Sequence, residues 1–82
     1  RSAEPELERR LEQMIAEDDC IEELFNALTI QFGPQVMLAA KIRMKPGLSI
    51  DKAVDCINRL ERQIKERYPE IGWCFIEPDV TD

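Results

Sequence analysis

Apolar residues recur along this chain with two different periods, and the points where the period changes divide it into five elements. Leu7, Leu11, Met14 and Ile15 fall at i, i+4, i+7 and i+8, the single stripe of an amphipathic helix. Pro5 suits the first turn of such a helix, where a missing N–H costs nothing. Glu4, Glu6 and Glu8 complement the positive end of its dipole, and Asp18-Asp19 oppose the negative end, so the helix is predicted to stop near them. Cys20 to Phe32 changes to the period of a strand: Leu24, Asn26, Leu28, Ile30 and Phe32 share one face, and Phe25, Ala27, Thr29 and Gln31 the other. Gly33-Pro34-Gln35 is read as a three-residue turn. Val36 to Met44 is a second strand, with Val36, Leu38, Ala40, Ile42 and Met44 on one side and Met37, Ala39, Lys41 and Arg43 on the other. After Lys45-Pro46-Gly47-Leu48, Ser49 is a good N-cap for a second helix. Its stripe is Ile50, Ala53, Ile57, Leu60 and Ile64, flanked by Val54 and Cys56 and closed by Pro69. Ile71 to Glu77 is a last strand, stopped by Pro78.

The short turn after the first strand predicts an antiparallel hairpin. The connection from Met44 to Ile71 is long enough to bring the third strand back parallel to the second, by a right-handed crossover. The predicted fold is α+β: an α-β-β-α-β sandwich, a truncated ferredoxin-like fold with a three-stranded mixed sheet and both helices on one face. Two helices cover only one side of such a sheet. The other side is expected to carry Phe25, Ala27, Met37 and Ala39, with either Trp73 and Phe75 or Cys74 and Ile76 from the last strand. An uncovered apolar face of this kind marks an association surface, and on this basis a homodimer is expected.

Eighty-two residues make one domain, and a chain this short buries only about 60–65% of the surface it exposes when unfolded. The domain is taken as 1–82, with 1–4 as a linker; the start at Arg1, without methionine, reads as a piece of something longer. At 44% hydrophobic and 34% charged residues it is too apolar and too periodic for disorder. A net charge of −6 argues against nucleic acid and anionic lipid, both of which need cationic contacts. Cys20, Cys56 and Cys74 contain no CxxC pair, and their odd number at wide spacing is no disulfide framework, which favours a reducing compartment. Cys56 and Cys74 are expected to be buried.

Candidate chemistry is sparse. The chain has no histidine, no Gly-rich phosphate loop, no nucleophile elbow and no HExxH. No enzyme is expected, and no catalytic or cofactor-binding residues are assigned. Oxygen ligands are available in Glu77 and Asp79, and in Asp18, Asp19, Glu22 and Glu23, but neither group has EF-hand spacing, and both read as solvated surface. Lys41, Arg43, Lys45, Arg59 and Arg62 are expected to pair with neighbouring carboxylates.

Four stretches, taken in order, resemble one family. SAEPELERRLEQMI is similar to the segment that leaves the last membrane helix and enters the cytoplasmic tail of cation diffusion facilitator (cation efflux) transporters. LTIQFGPQVMLAAKIRM resembles the hairpin of that tail, in a bacterial subgroup whose turn reads Leu-Gly-Pro. LSIDKAVDCINRLERQIKERYPEI resembles its second helix, and WCFIEPD its closing strand, which typically reads Ile-His-Ile-Glu-Pro. The resemblance spans nearly the whole chain. It implies the C-terminal, dimerising and regulatory domain of a proton-coupled divalent-cation antiporter, on the cytoplasmic face of a membrane and attached to its own transmembrane domain. In the family this tail often binds zinc or another divalent cation between protomers. Here the family's histidine in the closing strand falls on Phe75, one early in the second helix falls on Val54, and one before the turn falls near Gln31. Of the matched ligand positions only Glu77 remains acidic, so a tail that pairs without the usual histidine zinc site is implied. The candidate dimer surface is Phe25, Met37, Ala39, Trp73 and Phe75.

The competing readings belong to other classes. A free small-molecule-binding module of the ACT type has a related fold, but would show a strand-edge site rich in Gly and Asn. A ferredoxin-like metallochaperone needs an exposed CxxC loop. A nucleic-acid-binding sheet would use Trp73 and Phe75 as stacking aromatics but needs a basic surface.

Overall fold

Pro5 occupies the first helical position of α1 (Pro5–Ala16), and with no side chain capping its start the proline's fixed φ sets the entry. In the computed structural model, which describes residues 1–81, four further elements follow: β1 (Ile21–Phe32), β2 (Gln35–Met44), α2 (Ile50–Arg67) and β3 (Ile71–Pro78). The strands form one sheet in the order β1-β2-β3, with β1 antiparallel and β3 parallel to β2. The fold is the truncated ferredoxin-like α+β arrangement expected from the periodicities.

Both helices press their stripes onto one face of the sheet. Leu11 and Ile15 from α1 and Leu60 and Ile64 from α2 meet Val36, Leu38, Ala40 and Ile42 of β2, and Ile71, Cys74 and Ile76 of β3. Ser49 caps α2 by accepting the Lys52 N–H at 3.1 Å. The N-terminal segment runs beside the free edge of β1. Gln31 N–H donates to the Arg1 carbonyl at 2.7 Å. Ala3 N–H donates at 3.0 Å to the hydroxyl of Thr29, which donates in turn to Glu8 at 2.6 Å. Thr29 is 3% exposed, so this chain of bonds is what makes its polar burial tolerable.

Four expectations need correction. The hairpin loop is two residues, Gly33-Pro34, because Phe32 still pairs with Gln35. Gly33 adopts φ +55, a left-handed value that glycine takes without penalty and a two-residue hairpin loop demands. The simple alternation assumed along β1 also fails. A register shift between Leu24 and Asn26 places Ala27, Thr29 and Gln31 opposite the core positions Ala40, Leu38 and Val36. Ala27 therefore faces the helices, while Leu28, Ile30 and Phe32 join the open side. The bulge supplies the reason: one extra residue reverses the facing of everything beyond it.

The third correction concerns α2, where Ile50 is 82% exposed and Val54 48% exposed, against 1% or less for Leu60 and Ile64. The fully buried anchors of this helix lie in its second half, with Ile57 packed against the core ahead of them and partly buried. The fourth concerns the cysteines. Cys20 and Cys56 are bonded to each other, with Cα atoms 6.4 Å apart, and both are half-buried. Position 20 follows α1 and position 56 lies on the α1-facing side of α2, so the fold brings together two thiols that sequence spacing holds far apart.

Candidate interaction surface

The open face of the sheet is built from all three strands. β2 contributes Met37, Ala39, Lys41 and Arg43, the partners of Ile30, Leu28, Asn26 and Glu23 on β1. β3 contributes Trp73, Phe75 and Glu77, which pair with Met37, Ala39 and Lys41. A register shift between Val36 and Met37, with Gly72 left over on β3, settles which side of the last strand is core. Ile71 lies before the shift and Cys74 and Ile76 after it, so all three reach the helices, and Trp73 and Phe75 turn outward. A Cβ at Gly72 would come 3.0 Å from the Gln35 side chain, which crosses over this point.

The result is a continuous apolar surface. Phe75 is 56% exposed, Leu28 52%, Phe32 51% and Trp73 46%, and Phe25, Ile30, Met37 and Ala39 are half-buried among them. Phe32 and Trp73 meet edge to face, with ring centroids 5.9 Å apart across β2. The Arg43 guanidinium lies over the Phe25 ring at 5.2 Å. That contact fixes Phe25 on this side of the sheet at the bulge. A groove of about 210 Å³ runs between Leu28 and its cross-strand partner Ala39 toward Phe75, with Asn26, Lys41 and Glu77 at its polar end.

The charges at the border of the face are answered within the chain. Lys41 lies 3.7 Å from Asp79 and Arg43 lies 3.7 Å from Glu23. Asp79 is held below the usual carboxylate range, first by the Val80 N–H and also by Lys41. Elsewhere, Asp18 accepts a two-pronged contact from Arg59 at 2.8 and 3.0 Å and also caps the Cys20 N–H at 3.0 Å. The Arg59 guanidinium holds the Asp18 carboxyl below its ordinary value, against the opposing effect of burial. An open groove of about 580 Å³ lies between α1 and the end of α2, but its Arg9 and Arg10 are both paired with Glu6.

The sequence-predicted metal positions do not assemble. Phe75 lies on the open face and Val54 on the outside of α2, while the Gln31 amide is spent on the carbonyls of Gly33 and Gln35. Glu77 stands beside Lys41 at the end of the sheet. Among the described residues, no group of three or more His, Cys, Asp or Glu side chains is placed to hold a metal ion. The residues present do not fit a zinc site of the histidine type.

Of the surface residues singled out from sequence, Phe25, Met37, Ala39, Trp73 and Phe75 all lie on this face. Leu28, Ile30 and Phe32 were missed because the bulge at Phe25 carries no glycine to announce it. The same reading missed the thiol pair. Among the described residues, no helix is long and apolar enough to cross a membrane.

No protein-family model and no curated protein matches the chain. Solved structures do match. The chain is similar to the nickel form of a MamM CTD variant, with a TM-score of 0.84 at 8% identity, covering 96% of this chain and 100% of that one. It is similar to a histidine-to-alanine variant of the MamM CTD, with a TM-score of 0.84 at 8% identity over 98% and 100% of the two chains. It is also similar to a manganese form, with a TM-score of 0.80 at 9% identity over 92% and 95%. At these identities the likeness is one of fold: the chain has the architecture of the MamM CTD over nearly its whole length.

Proposed function

We propose that this chain is the C-terminal cytoplasmic domain of a divalent-cation efflux transporter of the cation diffusion facilitator type, and that it acts by pairing with a second copy through the open sheet face. On this reading residues 1–82 are one domain, 1–4 form the link from a transmembrane domain, and the work is binding and regulation, with no catalysis. Two independent lines support it. Four sequence stretches resemble the family's tail in the right order, and MamM, whose CTD has the same fold, is a member of that family.

The observation that carries the pairing is the apolar face itself. Aromatic and aliphatic side chains from three strands lie in one plane on a domain too small to cover them with its own layers. A twofold-related copy would cover Phe32, Trp73 and Phe75 with the same surface, as an isologous interface does. The poor fit of the residues to a histidine zinc site supports pairing that does not wait for metal.

Sedimentation of the chain with and without zinc tests the reading. A dimer is expected at micromolar concentration with zinc absent, and Met37→Glu should weaken it by at least about tenfold, because a buried unpaired carboxylate costs more than 1.4 kcal/mol. A chain that stays monomeric at high micromolar concentration overturns the pairing. Tight, stoichiometric zinc binding by calorimetry overturns the metal-independent part.

A further inference from the structure

We propose that the Cys20–Cys56 bond is a reducible latch: it holds the first half of α2 against the corner between α1 and β1, and a dithiol reductant releases that half of the helix. The latch stands apart from the transporter reading, since it can be measured on the chain whatever its role.

The first half of α2 is lightly held. Its fully buried anchors, Leu60 and Ile64, both lie in the second half; Ile57 packs against the core only partly buried, and Ile50 and Val54 project into solvent. Cys56 bonds to Cys20 at the end of the α1–β1 connection, 36 residues away in sequence. One turn further along, Arg59 reaches Asp18 in the same connection. The covalent bond and this ion pair are the two ties at this corner, and the bond is the one nearer the helix start. Reduction leaves Arg59–Asp18 in place, so the release is confined to the turns before it.

The surroundings favour cleavage from one side. A groove of about 520 Å³, lined by Lys52, Asp55, Asn58, Arg59 and Arg62, opens onto Cys56. The Arg59 guanidinium lies 3.8 Å from the Cys20 sulfur. A thiolate of the reductant entering the groove attacks the Cys56 sulfur, and the Cys20 thiolate departs beside a cation that stabilises it. The second thiol of the reductant then attacks the mixed disulfide and frees Cys56. Two electrons and two protons end on Cys20 and Cys56, and the reductant leaves as its own disulfide. Cys74 takes no part: it is buried on β3, with its thiol pushed up to about 11 by desolvation and by Glu61.

The experiment combines thiol counting with amide exchange read by mass spectrometry, on diamide-oxidised chain before and after dithiothreitol. Oxidised chain should yield one reactive thiol in denaturant, Cys74, and two more after reduction. Reduction should speed exchange across residues 53–57 by about tenfold or more while leaving 60–67 unchanged, the mark of a local opening. The Cys20→Ser, Cys56→Ser double variant should exchange like reduced chain and ignore dithiothreitol. Three reactive thiols in the oxidised chain overturn the proposal, and so does exchange in 53–57 that does not change when the bond is broken. The wild-type comparison decides the matter even if the double variant fails to fold.

Discussion

Asp18 carries more structure than its acidic neighbours, although in the sequence it is one of several carboxylates in a run. Its side chain is 8% exposed, takes both arms of Arg59, and terminates the turn into β1 by accepting the Cys20 N–H. Asp18→Ala removes a charged acceptor from two partners at once and is expected to cost about 1.5–3 kcal/mol in urea denaturation at pH 7. Arg59 keeps the folded-state carboxyl below its unfolded value, so the stabilisation is complete above the unfolded pKa, about 3.9, and is lost as pH falls through the folded one. The stability gap between wild type and Asp18→Ala should therefore narrow only below about pH 4. A gap that stays constant down to pH 2 would mean that the ion pair contributes nothing. Sequence alone assigned this group to solvated surface, because the partner lies on another helix and nothing local to Asp18 announces it.

At the scale of elements, α2 depends on how it begins. Ser49 satisfies the Lys52 amide, and the helix start beyond it has no core contact through Ile50. Ser49→Ala is expected to lower stability by about 1 kcal/mol, seen as a lower urea midpoint with an unchanged slope. All five elements and their order were legible, because the change from helical to strand period is sharp, the first break carries two aspartates and the other three carry Pro, with Gly or Ser at two of them. The facing of two strands was not. β1 carries two extra residues against β2, at Glu22 and Phe25, and β3 one, at Gly72, and each insertion inverts the alternation on which a reading by period rests. β2, the uninterrupted strand, was read with both faces correct, and only Gln35 at its start had been given to the turn.

The whole molecule measures 39 × 23 × 16 Å, one sheet with one layer of helices. That thinness leaves the open face without cover, and the composition of the face decides how it behaves. Its cations are answered inside the chain by Asp79 and Glu23, so self-association through it should rest on apolar burial. Sedimentation at low and at molar sodium chloride should give the same or a tighter dimer, since salt screens charge and does not weaken burial. Dissociation on adding salt would instead assign the contact to charged groups elsewhere on the surface. The face was anticipated in outline from the count of two helices against three strands; at β1 Phe25 was anticipated, but Leu28, Ile30 and Phe32 were not, for the reason of register given above.

The parallel pairing of β3 with β2 also orders events in time. β1 and β2 are joined by two residues and need close only a tight loop, whereas β3 reaches its place only after the whole of α2 has been threaded across the sheet. Loop closure makes the hairpin an early event and the docking of β3 a late one. The single tryptophan of the chain, Trp73, sits on that last strand. In refolding, far-ultraviolet dichroism should therefore run ahead of tryptophan fluorescence, and the emission of one ring becomes a clock for the closing of the sheet.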